Sequence, residues 1–150
     1  MGEALYSEPG TPALQAIFGQ GASIASASLG VVEVVAALSA KRRASEIDLQ
    51  QLDRSLGDLD DDWSGFIQVP LSAETVEKAR ALARDHALRG ADAVHLASAV
   101  MLCQRIQDPS DRVLFVVSDH RLKKGAPAGA SSWPGITVWD PCDSAAPPLP

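Results

Sequence analysis

Residues 113–117 read Val-Leu-Phe-Val-Val, an unbroken run of β-branched, aliphatic and aromatic side chains. A polar turn, Asp108-Pro109-Ser110-Asp111, precedes the run, and Ser118-Asp119 follows it. A run this short with no polar alternation predicts a buried strand. Further strand candidates lie at 22–27, at 66–71 ending on Pro70, and at 136–139. Helical segments separate them. Thr11 and Pro12 read as cap and first residue of a helix to about Phe18. Ser28 caps a helix over 29–43 that ends on Lys41-Arg42-Arg43, charges suited to a helix C-terminus. Residues 45–59 repeat Ile47, Leu49, Leu52, Leu56 and Leu59 on one face. Ser72 caps a helix over 73–87, Gly90 breaks it, and 92–106 form the next. Strands alternating with helices predict an α/β fold with a mainly parallel sheet.

The 150 residues suffice for one domain with its own core. With 46% hydrophobic and 21% charged residues, the chain is neither disordered nor collagen-like. Cys103 and Cys142 have no metal-ligand or disulfide-framework spacing, and Cys103 reads as a small apolar residue on a buried helix. A reducing, cytoplasmic setting is expected. No secretory signal, myristoylation pattern or membrane-spanning run is present. The net charge of -6 argues against a protein that coats nucleic acid, but not against an enzyme that grips a few phosphates. The acidic run Asp58–Asp62 lacks the ligand spacing of a calcium loop and reads as a solvated helix end or loop. Residues 125–135 read as a loop, and the Pro/Ala-rich stretch beyond Asp140 is expected to be loose.

Three carboxylates stand out by their neighbours. Glu33 sits in a helix that is apolar on nearly every face and is therefore expected to be buried. Asp92 begins a helix whose Leu96, Ala99 and Cys103 run down one face. Asp119 follows the carboxyl end of a buried strand, where open α/β sheets place their ligand sites. Each has a plainer reading: a salt bridge to an arginine for Glu33, a helix N-cap for Asp92, a turn residue for Asp119. Taken together they suggest acids converging at one end of the sheet, which stay ionised only around a cation. Oxygen ligands select magnesium or manganese, ions that activate water and stabilise a phosphate transition state. His95 follows Asp92 by three residues and reads either as a cleft residue or as a packing residue. A nucleophile elbow, a P-loop and zinc spacing among His86, His95 and His120 are all absent.

At these residues the chain resembles the PIN-domain family, in particular the VapC-type toxins of bacterial toxin–antitoxin pairs. LYSEPGT (5–11) is similar to the segment after that family's first strand, and SLGVVEVVAAL (28–38) to the helix that carries its second acid, at Glu33. LRGADAVHLASAV (88–100) is the most specific match and puts the third acid at Asp92. VLFVVSDHRL (113–122) resembles the strand and turn of the fourth, at Asp119, with Ser118 as an accessory polar group. The resemblance spans residues 5–141. It implies a three-layer fold, a parallel sheet flanked by helices, with 142–150 as a tail.

It also implies a metal-dependent endoribonuclease that holds Mg2+ or Mn2+ on Glu33, Asp92 and Asp119. RNA is the implied substrate, an antitoxin that blocks the cleft the implied partner, and a homodimer the implied assembly. One departure is visible: by its spacing from LYSEPG, the family's first strand, with its Asp, would lie just before Met1. Three readings follow from it: a native start further upstream, a catalytically inactive antitoxin-binding remnant, or replacement of that acid by Glu3 or Glu8. Arg42, Arg43, Arg121, Lys123 and Lys124 are candidates for RNA phosphate contacts, or ordinary surface charge. An unrelated doubly wound phosphoacceptor domain would need a Lys near the site that is not evident.

Overall fold

A computed structural model describes residues 9–108, 111–119, 122–123 and 134–143. In chain order its elements are α1 (Thr11–Phe18), β1 (Ala25–Ala27), α2 (Leu29–Arg43), α3 (Leu49–Ser64) and β2 (Ile67–Val69). They continue with α4 (Ala73–Asp85), α5 (Gly90–Arg105), β3 (Val113–Val116) and β4 (Ile136–Trp139). Both strand pairings are parallel. β1 pairs with β2 in the register Ala25↔Ile67 to Ala27↔Val69, and β3 with β4 from Val113↔Ile136 to Val116↔Trp139. Among the described residues these pairs are two separate two-stranded sheets, where the sequence suggested one continuous sheet.

α5 joins them. It touches all four strands and also α2 and α4. A helix covered on so many sides must be apolar around most of its circumference, and α5 is. Leu96, Ala97 and Val100 have no exposed surface, and Ala93, Ser98 and Met101 are buried beside them. Small side chains let its neighbour α4 come close: Ala79 and Leu82 share one core cluster with Ala93, Leu96 and Ala97. Val117 and Leu122 belong to the same cluster, so the segment that follows β3 is anchored on α5.

The caps explain where helices begin. At α3, Asp48 Oδ1 accepts the Gln51 N–H at 2.7 Å while Gln51 Oε1 accepts the Asp48 N–H at 2.9 Å. This reciprocal box fixes the start at Leu49, four residues later than the apolar periodicity suggested. Ser45, at φ +59°, belongs to the turn before it. α3 runs on to Ser64, so the acidic run lies in its last turns, solvated as expected although unfavourable to the helix dipole. Ser72 caps α4 by accepting the Thr75 N–H. Gly10, not Thr11, occupies the cap position of α1. Ser28 stands at the cap position of α2 without capping it; its hydroxyl donates instead to the Val69 carbonyl and ties α2 to the end of β2.

Two burial expectations are corrected. α2 is apolar in sequence yet mostly exposed: Leu38 is its one buried residue, and Val32 is 59% exposed, with Val34 and Val35 also open. α2 leans on β1, α3 and α5 along one side, and no described element covers the other. β3 is half-buried. Val113 is buried and Phe115 packs on the core, whereas Val116 on the opposite face is exposed.

Candidate acidic site

Asp92 lies in the first turn of α5, where the positive end of the helix dipole favours a carboxylate. It is buried, at 6% exposure, and it is not the cap; Arg89 holds that position. The Arg89 side chain turns back over the helix start. Its Nε donates to Asp92 Oδ2 at 2.9 Å and its Nη2 to Asp119 Oδ2 at 2.7 Å. One guanidinium therefore joins a carboxylate of its own helix to one thirty residues further along the chain. Hydrogen bonding to Asp92, and then the charge of Asp119, raise the Arg89 pKa above its ordinary value. Asp119 is also a turn residue: its Oδ1 accepts the Leu122 N–H at 3.0 Å. The plainer reading of Asp119, as a turn residue, is thus seen in the structure.

Glu33 is brought to α5 at another point. Gly30 lets α2 sit close on β1: a Cβ there would stand 2.6 Å from Ser26 Oγ, while the His95 ring would be at an ordinary 3.8 Å. One turn further on, Glu33 Oε2 lies 2.5 Å from His95 Nε2. Its partner is thus a histidine, not the arginine that the plainer reading supplied. His95 follows Asp92 on the same face of α5, so both pairs lie along the first turns of that helix.

The three acids are arranged as two contacts, Asp92–Arg89–Asp119 and Glu33–His95. Among the described residues no group of three His, Cys, Asp or Glu side chains stands close enough to hold a metal ion together. Asp92 and Asp119 still suit a hydrated divalent ion. Magnesium is commonly held by one or two carboxylates, with waters and substrate phosphate completing its shell. The two carboxylates converge on one cation already, the guanidinium, and a metal would need that place. Ser118, beside Asp119, is exposed.

Of the basic candidates, Lys123 bonds Asp140 at 3.0 Å and also Asp143, which ties the turn after β3 to the turn after β4. Arg42 and Arg43 are exposed at the end of α2. A hollow of about 360 Å³ beside them is lined by Arg42, Ser45, Glu46, Ile47, Asp48 and Gln51, none of them the predicted acids. His120, Arg121, Lys124, Glu3, Glu8 and most of the 125–135 loop lie outside the described residues, as do 144–150 of the tail. Sequence reasoning missed Arg89, although a basic residue three positions before an acid on a helix is a recognisable pairing.

The Lys123 clasp carries a pH dependence. The Cys142 N–H, followed by the Lys123 ammonium, lowers the Asp140 pKa below its usual 3.8. A carboxylate depressed in the folded state stabilises it above the unfolded pKa and loses that contribution as pH falls through the folded value. Thermal melts between about pH 5 and pH 2 should show a shallower acid limb in Asp140→Asn than in the unmutated chain. Superimposable limbs would mean that the clasp does not contribute.

Over 124 residues the chain is 38% identical to Ribonuclease VapC45 of Mycobacterium tuberculosis (strain CDC 1551 / Oshkosh), covering 83% of this chain and 82% of the relative. Ribonuclease VapC49 of Mycobacterium tuberculosis (strain ATCC 25618 / H37Rv) matches with the same identity and coverage. No protein-family model and no solved structure matches the chain.

Proposed function

We propose, from the premise that this chain belongs to the VapC family of ribonucleases with its PIN-like α/β fold, that it is the endoribonuclease toxin of a toxin–antitoxin pair. The observation that carries the reading is the convergence of Asp92 and Asp119, from α5 and from the end of β3, on a single cation position. Asp92, Asp119 and Glu33 are the residues that would hold Mg2+ or Mn2+. When bound, such an ion supplies positive charge against the scissile phosphate and promotes ionisation of the attacking water. The chain's own part is positional. The start of α5 fixes Asp92 in a nearly water-free setting, the turn to Leu122 orients Asp119, and His95 holds the Glu33 carboxylate. Ser118 adds a polar contact beside them.

RNA is the proposed substrate, and an antitoxin covering the acidic site the proposed protein partner. The exposed valines of α2, which flank Glu33, support a protein surface on that side, whether antitoxin or a second copy in a homodimer. No described helix is long and apolar enough to cross a membrane, and the family membership is what supports a cytoplasmic setting.

Purified protein should cleave RNA in the presence of Mg2+ or Mn2+, lose that activity in EDTA and regain it when the ion is restored. Absence of cleavage by folded protein under all of these conditions would overturn the enzyme reading. It would favour the alternative, an inactive module that keeps only the antitoxin surface.

A further inference from the structure

We propose that Arg89 is a built-in competitor of the metal: its guanidinium neutralises the Asp92–Asp119 pair when no divalent ion is present and must leave for one to bind. The inference rests on the metal-site reading above and adds a regulatory part to it.

Three features of the geometry support it. First, Asp92 is buried, and a buried carboxylate beside a second carboxylate is costly unless a positive charge stands between them. Arg89 is that charge among the described contacts of Asp92. Second, Arg89 takes both acids at once, Nε donating to Asp92 at 2.9 Å and Nη2 to Asp119 at 2.7 Å and, at 3.5 Å, to Asp92 as well, so it fills the space between them. A divalent ion coordinated by the same oxygens cannot share that space with a cationic guanidinium. Third, Arg89 can leave. Its side chain is 54% exposed, and only its backbone belongs to the α5 ladder, through the carbonyl that accepts the Ala93 N–H, so the side chain can move without breaking a helix hydrogen bond. Release into water restores the guanidinium's hydration, whereas Asp92 stays buried at the helix start.

The arrangement therefore has two states that share one pair of acids. In one the arginine is docked and the acids are satisfied without metal. In the other the ion is bound and the arginine is free at the rim, a position from which it can meet a phosphate. Binding of ion and binding of guanidinium oppose each other by the same factor in both directions, as linkage requires.

The test is Mn2+ binding, read by the electron paramagnetic resonance of the free ion, on wild type, Arg89→Gln and Arg89→Lys. Arg89→Gln should bind Mn2+ about tenfold more tightly, within the usual range of coupling between two ligands. Its metal-free form should melt at a lower temperature, and Mn2+ should recover more of that loss than it adds to wild type. Arg89→Lys, a point charge without the planar fork, should fall between the two. In the unmutated protein, Mg2+ should shift the Arg89 Nε–H resonance to that of a solvated guanidinium, a readout independent of whether any variant folds.

Equal Mn2+ affinity in wild type and Arg89→Gln, or an Arg89 signal unmoved by saturating Mg2+, would overturn the competition while leaving the metal site standing. No Mn2+ binding by any of the three proteins would overturn the metal-site reading, and the competition with it.

Discussion

Asp92→Asn is expected to lower RNA cleavage by on the order of 10²–10³-fold, the range for removing one preorganised electrostatic group from an active site. The substitution keeps size and shape. The amide oxygen still accepts from Arg89 Nε, so the first turn of α5 should survive. What disappears is a full negative charge at the one predicted acid that is buried. Mn2+ affinity should fall along with activity. Some stability will be lost too, because a carboxylate at this end of a helix is favoured by the dipole. Circular dichroism and a melting curve separate that loss from unfolding. Unchanged cleavage by folded Asp92→Asn would remove Asp92 from the site. Asp92→Asn and Arg89→Gln are opposite probes of one contact: the first should weaken ion binding and the second strengthen it.

Leu96→Ala should cost about 2–5 kcal/mol of stability, as deletion of a fully buried leucine side chain does. Leu96 has no exposed surface and lies in the cluster that links α4, α5 and the segment after β3. Its removal leaves a cavity lined by small residues such as Ala79, Ala93 and Ala97, which have little reach to fill it. Val32→Ala on the open side of α2 is the control and should change stability by no more than about 0.5 kcal/mol. Urea denaturation of the two variants decides the matter. A Leu96→Ala cost as small as that of Val32→Ala would mean that α5 is not the centre of the core.

Much of this architecture was legible in the residues. Among the described residues, the punctuation at Thr11-Pro12, Ser28, Ser72 and Gly90 located α1, α2, α4 and α5, apolar periodicity located α3, and the β-branched run at 113–117 located β3. Element ends were less legible where side-chain chemistry overrode periodicity, as at the Asp48–Gln51 box. The burial of α2 was misjudged for a clear reason: hydropathy reports what a helix can bury, not how many neighbours it has. Leu38 is covered by its neighbours, whereas Val32, Val34 and Val35 stay exposed among the described elements. For the site, sequence order singled out Glu33, Asp92 and Asp119 as chemically interesting. It could not say that Arg89 joins two of them or that His95 takes the third, because those contacts link residues on different elements.

The clasp between Lys123 and the Asp140–Asp143 turn has a consequence for how the acids are held. The clasp fixes Lys123 beside the carboxyl end of β4, and β3–β4 pairing fixes Ile136 beside Val113, so the two sides of the connecting span are set by separate contacts. The position of Asp119 is set upstream of it, by Arg89 and by the Leu122 amide. The contacts that hold the acids are thus independent of the residues that lead into β4.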